Sequence, residues 1–429
     1  MKKRLLGWFF VLGMALVDPS LVFADSASDE IAELRARLQK LEERLDREQA
    51  AGVNRSEEKK FSGDIASALH GITVRGSATM IVQGVKDANG DDQLSKNEDV
   101  TDASYSVDLE FGKEFEQGQA FVHLETGDGS GVDRKLKLFS AVNRDVDDSD
   151  NAVSVTEAWY EHQPGKGPFK VAFGKLDPTS VIDNNAYAND EGAQFLGSMF
   201  RNSAVIEFPD NGFGARTSYD IGDVADVGLI ALDGDSNGND VADGMFVGGQ
   251  LNFKPKLLGR DGNYRVVAWS NGQNHTRWSN TEKNKENGYG YGLSFDQELT
   301  DVLGAFVRYS WQNPKVVIST TDDFDITTAA GLEQAYSLGL QVKGSLWGRS
   351  EDVSALAFGQ VFPSDEYKNQ DSSRKADPEN HLEWYYSWRV NDNFHLSPDL
   401  QVIWNPYGGD AVNGNDTILA GGLRAQIEF

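Results

Sequence analysis

The sequence predicts an all-β fold: a transmembrane antiparallel β-barrel of sixteen strands, preceded by a short coiled-coil helix. Three observations carry this reading. The last seven residues alternate, with Leu423, Ala425, Ile427 and Phe429 on one strand face and Arg424, Gln426 and Glu428 on the other. A closing strand with a lipid-ready face, a wet face and a terminal aromatic suits an outer-membrane barrel; an ordinary sheet edge shows the same alternation. The amino terminus carries an export signal. From Gly71 onward, period-two segments recur to the end of the chain.

Lys2, Lys3 and Arg4 form a basic start, and Leu5 to Val17 is a run of 13 uncharged residues. Val22-Phe23-Ala24 offers small or short side chains for a cleavage site, so residues 1–24 read as a secretory signal peptide. Thirteen apolar residues are too short to cross about 30 Å of hydrocarbon as a helix. Residues 25–50 place Ile31, Leu34, Leu38, Leu41 and Leu45 at heptad spacing, a little over two heptads. Such a helix is marginal alone in water. It suits a periplasmic oligomerisation stalk, and equally one amphipathic helix lying on another surface. Residues 51–70 are polar and charged, as a linker is.

Composition excludes several classes. The chain has no cysteine, hence no disulfide framework and no thiolate chemistry. Its formal charge is −27; loss of Lys2, Lys3, Arg4 and Asp18 on cleavage leaves −29. A chain this acidic has no basic surface for nucleic acid. Gly is abundant (44) and Pro scarce (11), which suits long strands and many turns. Mean hydropathy is −0.47, consistent with strands that show lipid only alternate side chains.

Over 71–429, Ile72, Val74, Gly76 and Ala78 alternate with polar neighbours, and so do Tyr105, Val107, Leu109 and Phe111. Seventeen candidate strands can be counted, and single-chain bacterial barrels take an even number, hence sixteen. Short turns are expected at Pro209–Gly212 and Val390–Asn393, and long polar loops at 86–100, 143–151, 272–287, 313–331 and 363–380. Trp159-Tyr160, Trp384-Tyr385-Tyr386, Trp388 and Trp404 read as interfacial girdles.

Two segments resemble the carbohydrate-selective, OprB-like porin family. One runs from Phe173-Gly-Lys-Leu-Asp177 through Asp183-Asn-Asn185, Asp190, Gln194-Phe195 and Phe200-Arg-Asn202. The other runs from Leu396-Ser-Pro-Asp-Leu-Gln401 through Asn405-Pro406 and Gly408-Gly409 to Phe429. The resemblance covers about Gly71 to Phe429. It implies a sixteen-stranded outer-membrane channel passing mono- or oligosaccharides by diffusion, with no catalytic cycle and no organic cofactor. A general or cation-selective porin is the alternative. It also implies loops folded into the lumen, and 177–202 is the candidate constriction. Asp183, Asn184, Asn185, Asp190, Glu191, Gln194, Phe195, Arg201 and Asn202 mix amide, carboxylate, guanidinium and aromatic groups, as sugar hydroxyls and C–H faces require. The same Asn and Asp side chains also suit turn caps. Lys175 and Glu157 lie near strand ends, and Glu157 shares a face with Glu161.

Two acidic loops invite calcium. Asp87, Asn89, Asp91 and Glu98 follow an EF-hand-like spacing, but Asp92 stands where the turn needs Gly. Asp233, Asp235, Asn237 and Asp243 surround Gly238 in the turn position; polar hairpins look similar without an ion. No histidine spacing suits zinc and no Gly-x-Ser-x-Gly elbow occurs, so no enzyme is expected. Expected partners are sugars, outer-membrane lipid and lipopolysaccharide, barrel-assembly machinery through the C-terminal strand, and two further copies in a homotrimer.

Overall fold

The computed structural model describes residues 71–90, 98–145, 151–242, 244–317 and 331–429. The expected signal peptide, coiled coil and linker lie outside the described residues. Among the described residues, eighteen strand segments follow one another from Gly71 to Phe429. They begin with β1 (Ile72–Ala88), β2 (Glu98–Phe115), β3 (Gly118–Asp128), β4 (Ser154–His162), β5 (Phe169–Leu176) and β6 (Gly212–Ile221). Next come β7 (Ala225–Leu232), β8 (Phe246–Phe253), β9 (Lys256–Leu257), β10 (Arg260–Arg277), β11 (Asn280–Glu298) and β12 (Leu303–Gln312). The rest are β13 (Val316–Val317), β14 (Leu332–Lys343), β15 (Val353–Pro363), β16 (Glu379–Asn391), β17 (Phe394–Trp404) and β18 (Ile418–Glu428). β9 and β13 are two-residue ladders beside β10. The other sixteen are the wall, each antiparallel to its neighbours.

Closure comes from β1 pairing with β18, Ser77 opposite Glu428 and Lys86 opposite Leu419. The terminal residue takes part: Phe429 and Gly76 exchange both backbone hydrogen bonds at 2.9 Å. The Phe429 ring lies over Gly76 so closely that a Cβ there would sit 2.3 Å from it. With β1 joined to β18, each wall strand has a partner on both sides, the arrangement that suits strands in hydrocarbon.

The register sends Val74, Met80, Val82, Leu419, Leu423 and Ile427 outward, where they are exposed. Adjacent aromatics cannot share a face, and this corrects the expected girdles. Trp384, Tyr386 and Trp388 face outward, but Tyr385 points inward and is buried. Tyr160 faces outward, while Trp159 faces the lumen opposite Phe121.

Three loop expectations also change. Residues 272–287 are mostly strand, because β10 and β11 continue as one long hairpin with three irregularities. Outside the membrane both faces are wet, so alternation disappears while the ladder persists. Pro209–Gly212 is no tight turn; it is the exit of a long connection, 177–211, into β6. The 143–151 segment belongs to a longer connection, 129–153. Val390–Asn393 is the tight turn expected, between β16 and β17.

Candidate functional site

Residues 129–145 of the first connection and 177–211 of the second fold into the lumen and rest mainly on one half of the wall. The second begins where Asp177 caps the 3-10 turn Pro178–Ser180, its carboxylate accepting the Thr179 N–H at 2.7 Å. Ile182 then packs with Leu176, Ile230, Leu232 and Phe246. Further on, Phe195, Met199 and Phe200 meet Phe306, Ala357 and Tyr385 from β12, β15 and β16. Gly359 makes room for this contact: a Cβ there would lie 2.6 Å from the Met199 side chain. Each large side chain so buried contributes roughly 1.5–3 kcal/mol.

Polar fastenings fix the loop's register on the wall. Arg308 of β12, 1% exposed, donates to the carbonyls of Phe200 (2.6 Å) and Asp183 (3.0 Å) and pairs with the Asp183 carboxylate at 3.3 Å. Asp183 has a positive φ of 66° and also accepts the Ser203 N–H at 2.7 Å. Glu383 of β16 accepts the N–H groups of Leu196 (2.6 Å) and Gly197 (3.0 Å). The two connections are joined directly, by Arg144 N–H to Leu196 carbonyl and Ser198 N–H to Ala141 carbonyl. Glu379 secures the first, accepting from Phe139, Ser140 and, in the connection before β18, Tyr407.

The nine residues proposed for the constriction therefore separate. Asp183, Asn185 and Phe195 are buried and hold the loop in place. Asn185 donates to Ser294, and Asn202 donates to Asp183. Gln194 is engaged within the loop, accepting from Asn189 and donating to Ala186. Asn184 is half-buried and accepts from Gln250 at 3.1 Å. Asp190 is exposed. Arg201 and Glu191 pair at 2.7 Å. Burial opposes ionisation of Glu191, yet the Arg201 and Arg144 guanidiniums outweigh it and hold its carboxyl below the usual range. Lys175 turns outward and donates to the Val155 carbonyl. Glu157 and Glu161 do face the lumen, as their shared parity suggested.

Because the loops cover β8 and β10 to β18, most inward side chains there are buried. On β2 to β7 a group of inward polar side chains stays accessible: Asp108, Glu110, Glu157, Glu161, Asp220 and Asp226, with Lys170 and Arg216. Among them runs an aromatic ribbon. Phe121 stacks on Trp159 with centroids 5.2 Å apart at 30°. The Arg216 guanidinium lies 4.3 Å from the Trp159 ring centre. Trp159 donates its indole N–H to Glu157 at 2.9 Å, and Arg216 reaches Glu161 at 3.4 Å and Ser180 at 3.1 Å. His123 adjoins Phe121 and bonds Asp108 at 2.9 Å. The sequence held a signal for the ribbon: Trp159 lies between Glu157 and Glu161 on their parity, the wet face.

The calcium expectation meets a sparse geometry. Asp235 is engaged by Asn237, and Asp233 accepts the Gly238 N–H at 2.9 Å. Asp243 and Asp91 lie outside the described residues. Asn89 is buried and bonds both polar groups of the Lys137 backbone. Among the described residues no group of three or more His, Cys, Asp or Glu is placed to hold a metal ion.

A closed barrel with an apolar outer face, a wet lumen and loops folded inside it defines a porin, a channel protein of the outer membrane. The chain belongs to the OprB family of carbohydrate-selective porins, whose sequence profile matches residues 36–429. The match starts upstream of the motifs, inside the segment read as coiled coil. Pseudomonas putida OprB, solved at high pH, superposes with a TM-score of 0.69 at 16% identity, covering 86% of this chain and 97% of that one. An engineered variant of the Rhodopseudomonas blastica porin superposes with a TM-score of 0.51 at 9% identity, covering 83% and 100%. At these identities the likeness concerns the fold. No curated protein sequence matches the chain significantly.

Proposed function

We propose that this porin conducts neutral mono- or oligosaccharides by passive diffusion, and that they contact the ribbon of Phe121, Trp159 and Arg216. One observation carries the reading: half-buried aromatic side chains stand on a lumen wall that is otherwise polar. Sugar C–H groups rest on such surfaces, and the surrounding carboxylates and guanidinium exchange water for sugar hydroxyls. Asn184, Asp190, Glu191 and Arg201 supply polar groups from the loop. The family's description as carbohydrate-selective supports the same substrate class. Binding should be weak, because a channel must release what it admits.

The test is single-channel conductance in a planar bilayer with glucose or a maltose-series oligosaccharide titrated in. Sugar should block the current at millimolar concentration. Trp159→Ala should weaken the block about tenfold, the loss of roughly 1.4 kcal/mol of stacking. Stable channels that no sugar affects would instead favour a general, cation-selective porin, the reading that the acidic wall by itself supports.

Calcium at the 233–243 loop is a separate proposal. It rests on Asp233 Oδ1, buried and without a hydrogen-bond partner among the described residues. Millimolar calcium should raise the melting temperature, and Asp235→Ala should abolish the rise; no shift in the parent protein would end the idea.

A further inference from the structure

Beside the ribbon, the beginning of the infolded loop and strands β4 to β8 line a half-open cavity of about 300 Å³. That is the lower end of the roughly 300–1,000 Å³ usual for ligand pockets. Glu161 and Arg216 border both the ribbon and this cavity, so the two spaces are adjacent. The cavity floor is fixed. Gln250 donates to Asn184 at 3.1 Å and accepts the Asp183 N–H at 2.9 Å, while Asn184 donates to the Thr179 carbonyl at 3.0 Å.

Three other lining side chains are uncommitted. The ammonium of Lys170, the hydroxyl of Ser218 and the carboxylate of Asp220 have no side-chain partner among the described residues. Lys170 and Ser218 are directly opposite across β5 and β6, with Asp220 one step along the same face. Arg216 uses two of its five N–H groups, on Ser180 and Glu161. Donors and acceptors thus alternate over a space of one ring, with no aromatic surface. A hydroxyl is donor and acceptor at once and satisfies both kinds. An anionic group would meet the unpaired carboxylate of Asp220, beside Asp226 and Glu161, which already pair with Lys254 and Arg216.

We propose that this cavity is a second sugar subsite in series with the ribbon, so that the channel holds two contiguous neutral rings. One ring lies on Phe121 and Trp159, and the next sits among Lys170, Ser218, Asp220 and Arg216. The inference rests on the sugar-channel reading given above. It makes the preferred permeant at least a disaccharide in length.

The experiment compares current block by maltose and by glucose in planar bilayers. The parent channel should show maltose blocking at about tenfold lower concentration than glucose. Lys170→Met and, separately, Ser218→Val should bring that ratio close to one, with heat-modifiable migration showing that each variant is folded. Trp159→Ala should weaken block by both sugars. Equal block by the two sugars in the parent channel overturns the second subsite while leaving the sugar channel standing. A ratio that both cavity variants preserve does the same. If neither sugar blocks the parent channel, the sugar-channel reading falls, and this inference with it.

Discussion

Arg308 shows how one lumen-facing residue sets the shape of the pore. It is buried together with Asp183, and between them they hold two turns of the infolded loop against β12. Removing one member of such a pair strands the other charge, at a cost of about 3–5 kcal/mol. Arg308→Met should therefore lower the midpoint of the heat-modifiable transition, and adding Asp183→Asn should restore part of the loss. Additive losses in the double variant would show that the pair is not coupled. Asp133, in the other connection, behaves differently. Burial pushes its carboxyl up to about 7 from an ordinary 3.8. Between those values the folded chain holds a proton that the unfolded chain has released, so this residue's contribution to stability falls as pH rises from about 4 to about 7. Asp133→Asn should remove that part of the decline, seen as a flatter melting temperature against pH; an unchanged slope would refute the assignment. At this scale the sequence was partly legible. It marked the loop residues as polar and aromatic, but Asp183, Asn185 and Phe195 looked no different from residues that meet the permeant. Which of them is buried depends on wall residues far away in the chain.

The strands follow local rules and the loops do not. Alternation gave the outward faces of β1, β2 and β18, since lipid or water on one side and lumen on the other sort side chains by parity. Adjacent aromatics misled where parity was set aside, as at Trp159-Tyr160. The β10–β11 hairpin was hidden for another reason. The 19 residues of β11 reach about 60 Å along the strand, beyond an apolar band about 25 Å tall. Its outer part is wet on both faces and reads as loop. The infolded connections are fastened by isolated acidic residues on the wall, and Glu379 is the clearest. It accepts the N–H groups of Phe139, Ser140 and Tyr407 and contacts His381 at 2.8 Å. Glu379→Ala leaves those buried donors unpaired, at about 1–3 kcal/mol each. The expected result is an intact barrel with larger, noisier conductance and new protease sensitivity in 129–145. Conductance and proteolysis matching the parent would show that apolar packing alone holds the loop.

Across the whole molecule, charge and closure act together. The chain is strongly acidic, and the accessible lumen wall follows suit: Asp108, Glu110, Glu157, Glu161, Asp220 and Asp226 outnumber Lys170 and Arg216. A potassium chloride gradient should give a reversal potential favouring potassium, reduced in Glu157→Gln and weaker at high salt, where exposed charges are screened. A chloride preference would mean that Lys170 and Arg216 outweigh the lumen carboxylates. The sequence by itself determined the barrel, its outward faces and its closing strand, because period-two patterning is local and an unpaired edge is intolerable in lipid. Tertiary structure decided where the pore runs. Contacts such as Arg308 with Asp183, 125 residues apart, and Glu383 with Leu196, 187 apart, press the loops onto one half of the wall. The open passage is left along β2 to β7, where Phe121, Trp159 and Arg216 meet through strand register, and no local pattern encodes that meeting.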